Sequence, residues 1–447
     1  MGFMATFEKV AEKALVPIAS KLNSQRHIVA IRDAFILSFP ITLAGSLIVL
    51  LNFAVLAPDG FIAKILFLHK LFPNLADLQS VFSPVLNGSS NILSMFIVFL
   101  VARNIAISLK SDELLCGLTA LSTFFIIYPS YTQVDGGNFL TTQWVGAQGL
   151  FVAIIVGLLV GELFSRLSKS EKLQINMPAS VPPAVARSFK VLFPIIIITI
   201  VFAIGNAVIN KFYADGLHEL IYAALQTPLK HLGTNVVSLV ILAIVSNLLW
   251  VFGIHGPNTI AAIREAMFAE ANLENLNYVA AHGSAWGAPY PVTWAINDAF
   301  ANYGGSGMTL GLLIAIFLVS RRKEYREIGK LSLAPGLFNI NEPIIFGLPV
   351  VLNPILIIPF ILVPAVNIII GYAAIATGLI PPIAYSVPWT TPGPLIAFLG
   401  TGGNWLALII GFVCLAVSTL IYLPFVLASN KSVENTSDSK LDSEKTA

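Results

Sequence analysis

Long apolar runs broken by short polar segments set the pattern of this chain. The first begins after Asp33 and ends at residue 57. Others cover roughly 83–107, 114–128, 150–164, 191–210, 232–254, 308–319, 355–379 and 405–428. About 20 apolar residues in a helix match a bilayer core of about 30 Å, so these runs predict spanning helices. Phe7, Val10, Ala14, Leu15 and Ile18 recur at helical spacing among Glu8, Lys9, Glu12, Lys13 and Lys21. That pattern predicts an amphipathic helix lying on the membrane surface, and the segment is not a signal peptide. Some runs are punctured. Asn87-Gly-Ser-Ser-Asn91 is too polar for lipid and must face protein or a cavity.

Charge adds sidedness. Arg166, Lys169, Lys172, Arg187 and Lys190 crowd one loop, and Arg321, Arg322, Lys323, Arg326 and Lys330 another, so both are expected in the cytoplasm. Segment 129–147 is polar and aromatic without Lys or Arg, and is expected outside, as is the loop 58–82. Arg32 and Asp33 are expected to pair at the mouth of the first span. With both basic loops inside, something between His255 and Gly307 must cross, yet His282 to Asp298 is too broken by Gly and Pro for one continuous helix. Segment 332–354 carries six Pro and Gly residues and predicts a second hairpin. The expected architecture is an all-α polytopic membrane protein with about ten transmembrane helices and two re-entrant hairpins. Its parts are an amphipathic segment (1–27), an N-terminal transmembrane domain (28–211), a connector with a surface helix (212–231), a C-terminal substrate-transport domain (232–428) and a polar, disordered tail (429–447) left inside by parity.

Composition agrees. The 447 residues are 56% hydrophobic and 11% charged, with mean hydropathy +0.84, against about 25% charge in soluble domains. A net charge of +2 leaves no nucleic-acid footprint. Cys116 and Cys414 lie in apolar runs with no Cys-x-x-Cys partner, and read as buried structural residues. The six histidines form no His-x-x-x-His pair, the glycine runs 304–307 and 400–404 lack a P-loop lysine, and no nucleophile elbow occurs. No metal and no cofactor is expected.

Candidate chemistry is sparse and therefore conspicuous. Between Lys330 and Lys431 the one charged side chain is Glu342, in Asn341-Glu-Pro343. An isolated carboxylate at such a place is costly unless it serves a site or sits at an interface. Pro343 places Glu342 at a helix start or turn. The second candidate is His255, in Gly253-Ile-His-Gly-Pro-Asn258, where glycines would let a ligand approach the backbone and Pro257 stops the preceding helix. Asn258 ends that block. The third is Trp389 with Thr390 and Thr391 in a Pro-rich stretch. An aromatic face beside hydroxyls suits a sugar ring, and an interfacial tryptophan anchor fits equally well.

Gly253-Ile-His-Gly256 followed by Asn341-Glu-Pro-Ile-Ile-Phe-Gly347 resembles enzyme IIC of the bacterial phosphoenolpyruvate-dependent sugar phosphotransferase system. The Asn-Glu-Pro block is common to related branches. The Trp250-Val-Phe-Gly-Ile-His-Gly and Pro388-Trp-Thr-Thr-Pro-Gly-Pro394 segments and the length favour the lactose/cellobiose/diacetylchitobiose branch, over about residues 5–428. The resemblance implies ten transmembrane helices, two re-entrant hairpins and a homodimer formed by the N-terminal half in the bacterial cell membrane. It implies that His255 and Glu342 contact the C6 hydroxyl of a β-linked disaccharide, with Asn341 and Trp389 lining the pocket. The phosphate then comes from a phosphocysteine on a separate cytosolic enzyme IIB; no soluble domain is expected on this chain, which alone would move sugar without phosphorylating it. The competing expectation is a proton-coupled secondary sugar transporter with Glu342 and His255 as a proton relay. An intramembrane hydrolase lacks a nucleophile.

Overall fold

The computed structural model describes residues 24–129, 132–134, 137–178, 180–213, 216–251, 253–348, 350 and 355–445. The expected surface helix over residues 7–18 lies outside the described residues. Six helical stretches among the described residues are long and apolar enough to span a membrane: Arg26–Ile65, Leu75–Ser108, Ala147–Leu167, Pro183–Phe212, Ile357–Ala376 and Trp405–Asn430. A further pair, Gly216–Gly233 and Val236–Val251, meets at a bend of 81°, and Glu113–Ile126 and Ser306–Val319 are shorter apolar helices. The predicted runs therefore fall on helices. Among the described residues, the one pair of strands is a small antiparallel hairpin, Thr132–Val134 with Gly137–Phe139, inside the segment expected outside.

Two packed cores organise the chain. In the first, the Arg26–Leu51, Glu113–Ile126 and Leu150–Leu167 helices pack around the Leu93–Ser108 helix. The run 83–107 is one helix only in its second half. Its polar first half is a series of short turns, and Ser89 and Ser90 are buried there, with the Ser90 hydroxyl donating to the Thr42 carbonyl at 3.4 Å. Arg32 and Asp33 pair at 2.7 Å. In the second core, the Thr309–Val319, Ile357–Ala376 and Trp405–Lys445 helices pack on one another, with Val236–Val251 against Ile357–Ala376. Cys116 is buried in the first core and Cys414 in the second.

The Ala261–His282 helix bridges the two cores. Ala269, Leu273, Leu276 and Val279 bury in the first, while Met267 and Phe268 bury in the second. Its charges choose the position. Glu270 is buried and takes the ammonium of Lys230 at 2.7 Å, the hydroxyl of Tyr222 at 2.9 Å and the amide of Gln226 at 2.6 Å. Lys230 also reaches Glu274 at 3.2 Å. A charge that deep requires such partners.

Salt links connect the polar ends. Arg187 binds Asp112 with two guanidinium nitrogens, so the 109–112 turn and the basic 166–190 loop lie on one face. The last helix runs on past 429, where a polar tail was expected, to Lys445. Two of its side chains hold it there: the Ser429 hydroxyl accepts from Arg322 at 3.1 Å and donates to the Tyr325 hydroxyl at 2.9 Å, while the Asn430 amide accepts the Arg321 N–H and donates to the Val319 carbonyl.

Candidate functional site

Broken backbone builds the site. The Lys323–Leu337 helix ends in a tight turn, and a six-residue helix, Glu342–Gly347, starts immediately after it. The break falls inside the segment 332–354 where a hairpin was expected, and Pro335 lies in the last turn of the Lys323–Leu337 helix. Pro343 follows Glu342 at the helix start, where a missing N–H costs nothing. Glu342 is exposed at this tip.

His255 ends the other broken element. It caps the short Gly256–Thr259 helix, with Nδ1 accepting from the Asn258 N–H at 3.2 Å, and its carbonyl takes the Thr259 hydroxyl at 2.9 Å. With Nδ1 so engaged, Nε2 is the ring nitrogen free to face a ligand. His255 and Asn258 are both exposed. The Glu342 carboxylate lies within electrostatic reach of the His255 imidazole. Trp250 explains why: its indole sits 4.7 Å from the His255 ring and 6.4 Å from the ring of Phe346, on the Glu342 helix. The flanking glycines have separate reasons. Gly253 has φ +72° with open space around it, whereas a Cβ on Gly256 would lie 1.8 Å from the Ser246 carbonyl oxygen. Helix packing, rather than ligand approach, demands the second glycine.

Asn341 is buried, and its amide donates to the Ser306 carbonyl at 2.9 Å, so it anchors the tip to the 304–307 glycine run. Gly305 has φ +93°, and a Cβ there would meet Asn341 Cγ at 2.6 Å and the Asn339 carbonyl oxygen at 2.8 Å. Trp389 leaves its indole half exposed, with Thr390 half-buried next to it in a turn closed by Thr391 N–H to the Pro388 carbonyl.

Asn339, absent from the sequence reading, joins these pieces. It is buried, sits at φ +63°, accepts the Gly304 N–H at 2.8 Å, and donates to the carbonyls of Trp389 at 2.6 Å and Thr391 at 2.8 Å. The only sequence signal was an asparagine just past a helix end, where left-handed backbone is tolerated. No group of three or more metal-ligating side chains occurs among the described residues.

A multi-pass helical bundle whose polar groups gather at the ends of interrupted helices defines a membrane carrier. Residues 32–364 match the family model "Phosphotransferase system, EIIC". The oligo-beta-mannoside-specific EIIC component of Bacillus subtilis is 34% identical, over 95% of this chain and 94% of the relative. The cellobiose-specific EIIC component of Lactococcus lactis is 33% identical, over 96% and 98%. The crystal structure of the transporter ChbC, the IIC component of an N,N'-diacetylchitobiose-specific phosphotransferase system, superposes with a TM-score of 0.85 at 33% identity, covering 94% of this chain and 98% of that one. The chain belongs to the phosphotransferase-system EIIC family: it is a multi-pass sugar permease component that works with an EIIB partner.

Proposed function

We propose that this chain binds and translocates a β-linked disaccharide of the cellobiose, N,N'-diacetylchitobiose or lactose class, presenting its C6 hydroxyl to a phosphocysteine on EIIB. The observation that carries the reading is that Glu342 and His255, at two separate broken helix ends, lie within electrostatic reach of each other, with Trp250 packed between the His255 ring and Phe346. The names of relatives that align over nearly the whole chain support the sugar class.

The chemistry follows from the residue types. Phosphoryl transfer to an alcohol asks the protein for positioning and a proton acceptor. Glu342 accepts the hydrogen bond of the sugar hydroxyl and takes its proton as the phosphorus–oxygen bond forms and the bond to the cysteine sulfur breaks. His255 holds the same hydroxyl through Nε2. Trp389 supplies an aromatic face to a sugar ring, Thr390 and Asn258 supply polar rim contacts, and Asn341 holds the tip rigid. The N-terminal half forms a homodimer, an assignment supported by the bare apolar surface of the Leu192–Phe212 helix, where Ile200, Val201, Ile204 and Phe212 are all exposed. The C-terminal tail is assigned to the cytoplasm, a reading supported by the bonds of Ser429 and Asn430 to the basic segment 320–326.

The test uses membrane vesicles with and without EIIB and a phosphoenolpyruvate-driven phosphate supply. The expected result is sugar 6-phosphate that requires EIIB; free sugar accumulation that a protonophore abolishes supports a proton relay and rejects the proposal. Glu342→Gln is expected to keep sugar binding while losing phosphorylation by about 100-fold or more. Near wild-type transfer by that variant removes the base role from Glu342.

A further inference from the structure

Three separate segments must hold register for the site to exist: the glycine run at 304–307, the tip at 339–342 and the turn at 388–391. Among the described residues, Asn339 is the side chain bonded to both of the others. Its carboxamide is fully assigned by its surroundings. One face meets an N–H, from Gly304, so it is the oxygen; the other meets two carbonyls, of Trp389 and Thr391, so it is the NH2 group with both hydrogens used. The residue sits at φ +63°, a region asparagine tolerates better than other side chains. A glycine would keep that backbone and lose all three bonds. An aspartate would keep the Gly304 bond and set a carboxylate against two carbonyl oxygens. Position and chemistry both point to asparagine.

We infer that Asn339 is a positioning residue for sugar binding, fixing the Trp389 indole relative to the Glu342 tip through the paired bonds to the Trp389 and Thr391 carbonyls. Trp389 is half exposed and its own backbone turn is short, so its placement against the tip depends on those two bonds. The inference rests on the reading of Trp389 as a sugar-stacking residue, and a double-mutant cycle separates the two claims.

The experiment titrates full-length protein in detergent with cellobiose, N,N'-diacetylchitobiose and lactose, and uses the tightest binder. Asn339→Gly, Trp389→Ala and the double variant are compared with the wild type. Asn339→Gly is expected to weaken binding about tenfold or more. In the Trp389→Ala background the same substitution is expected to change affinity less than about twofold, because its effect passes through the indole. Asn339→Asp, which spares the Gly304 bond, runs the same cycle should the glycine variant fail to fold. Asn430→Gly is the control: it removes a two-bond asparagine tether far from the site, and is expected to lower the melting temperature with affinity unchanged. Full additivity of Asn339 and Trp389 overturns the positioning role and leaves the Trp389 reading intact. Wild-type affinity in Trp389→Ala, or no binding of any of the three sugars, overturns both. Wild-type affinity in Asn339→Gly overturns the inference alone.

Discussion

Lys230 and Glu270 allow a sharp quantitative forecast. Glu270 is 4% exposed, and its two oxygens take one cationic and two neutral donors; the Lys230 side chain is 17% exposed. Lys230→Met leaves a buried carboxylate with only Tyr222 and Gln226. Breaking a buried pair from one side costs about 3–5 kcal/mol, and the residual exposure of Lys230 places this case near 3. Glu274 is a weaker partner, at 3.2 Å and 30% exposed, so Glu274→Gln should cost about 1 kcal/mol or less. The double change Lys230→Met with Glu270→Gln removes the stranded charge and keeps one acceptor oxygen, for the Tyr222 hydroxyl, at the loss of the Gln226 bond. It should recover more than half of the single-variant loss. Thermal unfolding in detergent, followed by tryptophan fluorescence, ranks the variants. The reasoning fails if Lys230→Met is no worse than Glu274→Gln, or if the double variant is less stable than Lys230→Met alone.

Two further outcomes follow. Gly305→Ala places a methyl at φ +93° against Asn341 and the Asn339 carbonyl, at a strain cost of about 1–3 kcal/mol; sugar titration should show weakened binding, and unchanged affinity would show that the glycine run does not support the tip. Burial acts to raise the Asp112 carboxyl, but the hydrogen bonds from Arg187 and the Leu115 N–H, together with the Arg187 charge, outweigh it and hold the group below its ordinary value. A depressed carboxyl stabilises the fold above its unfolded value of about 3.9 and loses that contribution as pH falls through the folded one. The melting temperature of the wild type should therefore drop more steeply than that of Asp112→Asn between about pH 5 and about pH 3, and equal slopes would refute the linkage.

The spanning helices were legible because lipid leaves few alternatives. The run ending at Asn210 is apolar on every face, and the Leu192–Phe212 helix lies where the run does. Glu342 and His255 were legible for the same reason, as isolated polar groups beside Pro and Gly. Three features escaped. The bonds of Asn339 join residues 35 to 52 positions apart, and no local pattern encodes such distances. Lys230 and Glu270 lie 40 positions apart, and burial of one against the other is decided by tertiary packing. The Ala261–His282 helix packs into both cores, and only tertiary packing divides its residues between them. Asn341 was expected to line the pocket, but its amide is spent on Ser306.

The two cores are stitched at a point that matters for the stacking residue. Ser46 Oγ donates to the Ser386 carbonyl at 3.2 Å and accepts the Ser386 N–H at 2.7 Å. One hydroxyl thus engages both polar groups of a single residue, and a slip of roughly 1 Å between the strands of contact would release both together. The contact behaves as a detent, either seated or free. Three residues later the Trp389 carbonyl belongs to Asn339 and the other core. The short link Val387-Pro388 is one place where sliding of one core past the other would be absorbed, and Pro388, with its fixed φ, leaves little slack there. Movement of the scaffold would be delivered almost undamped to the indole proposed to face the sugar.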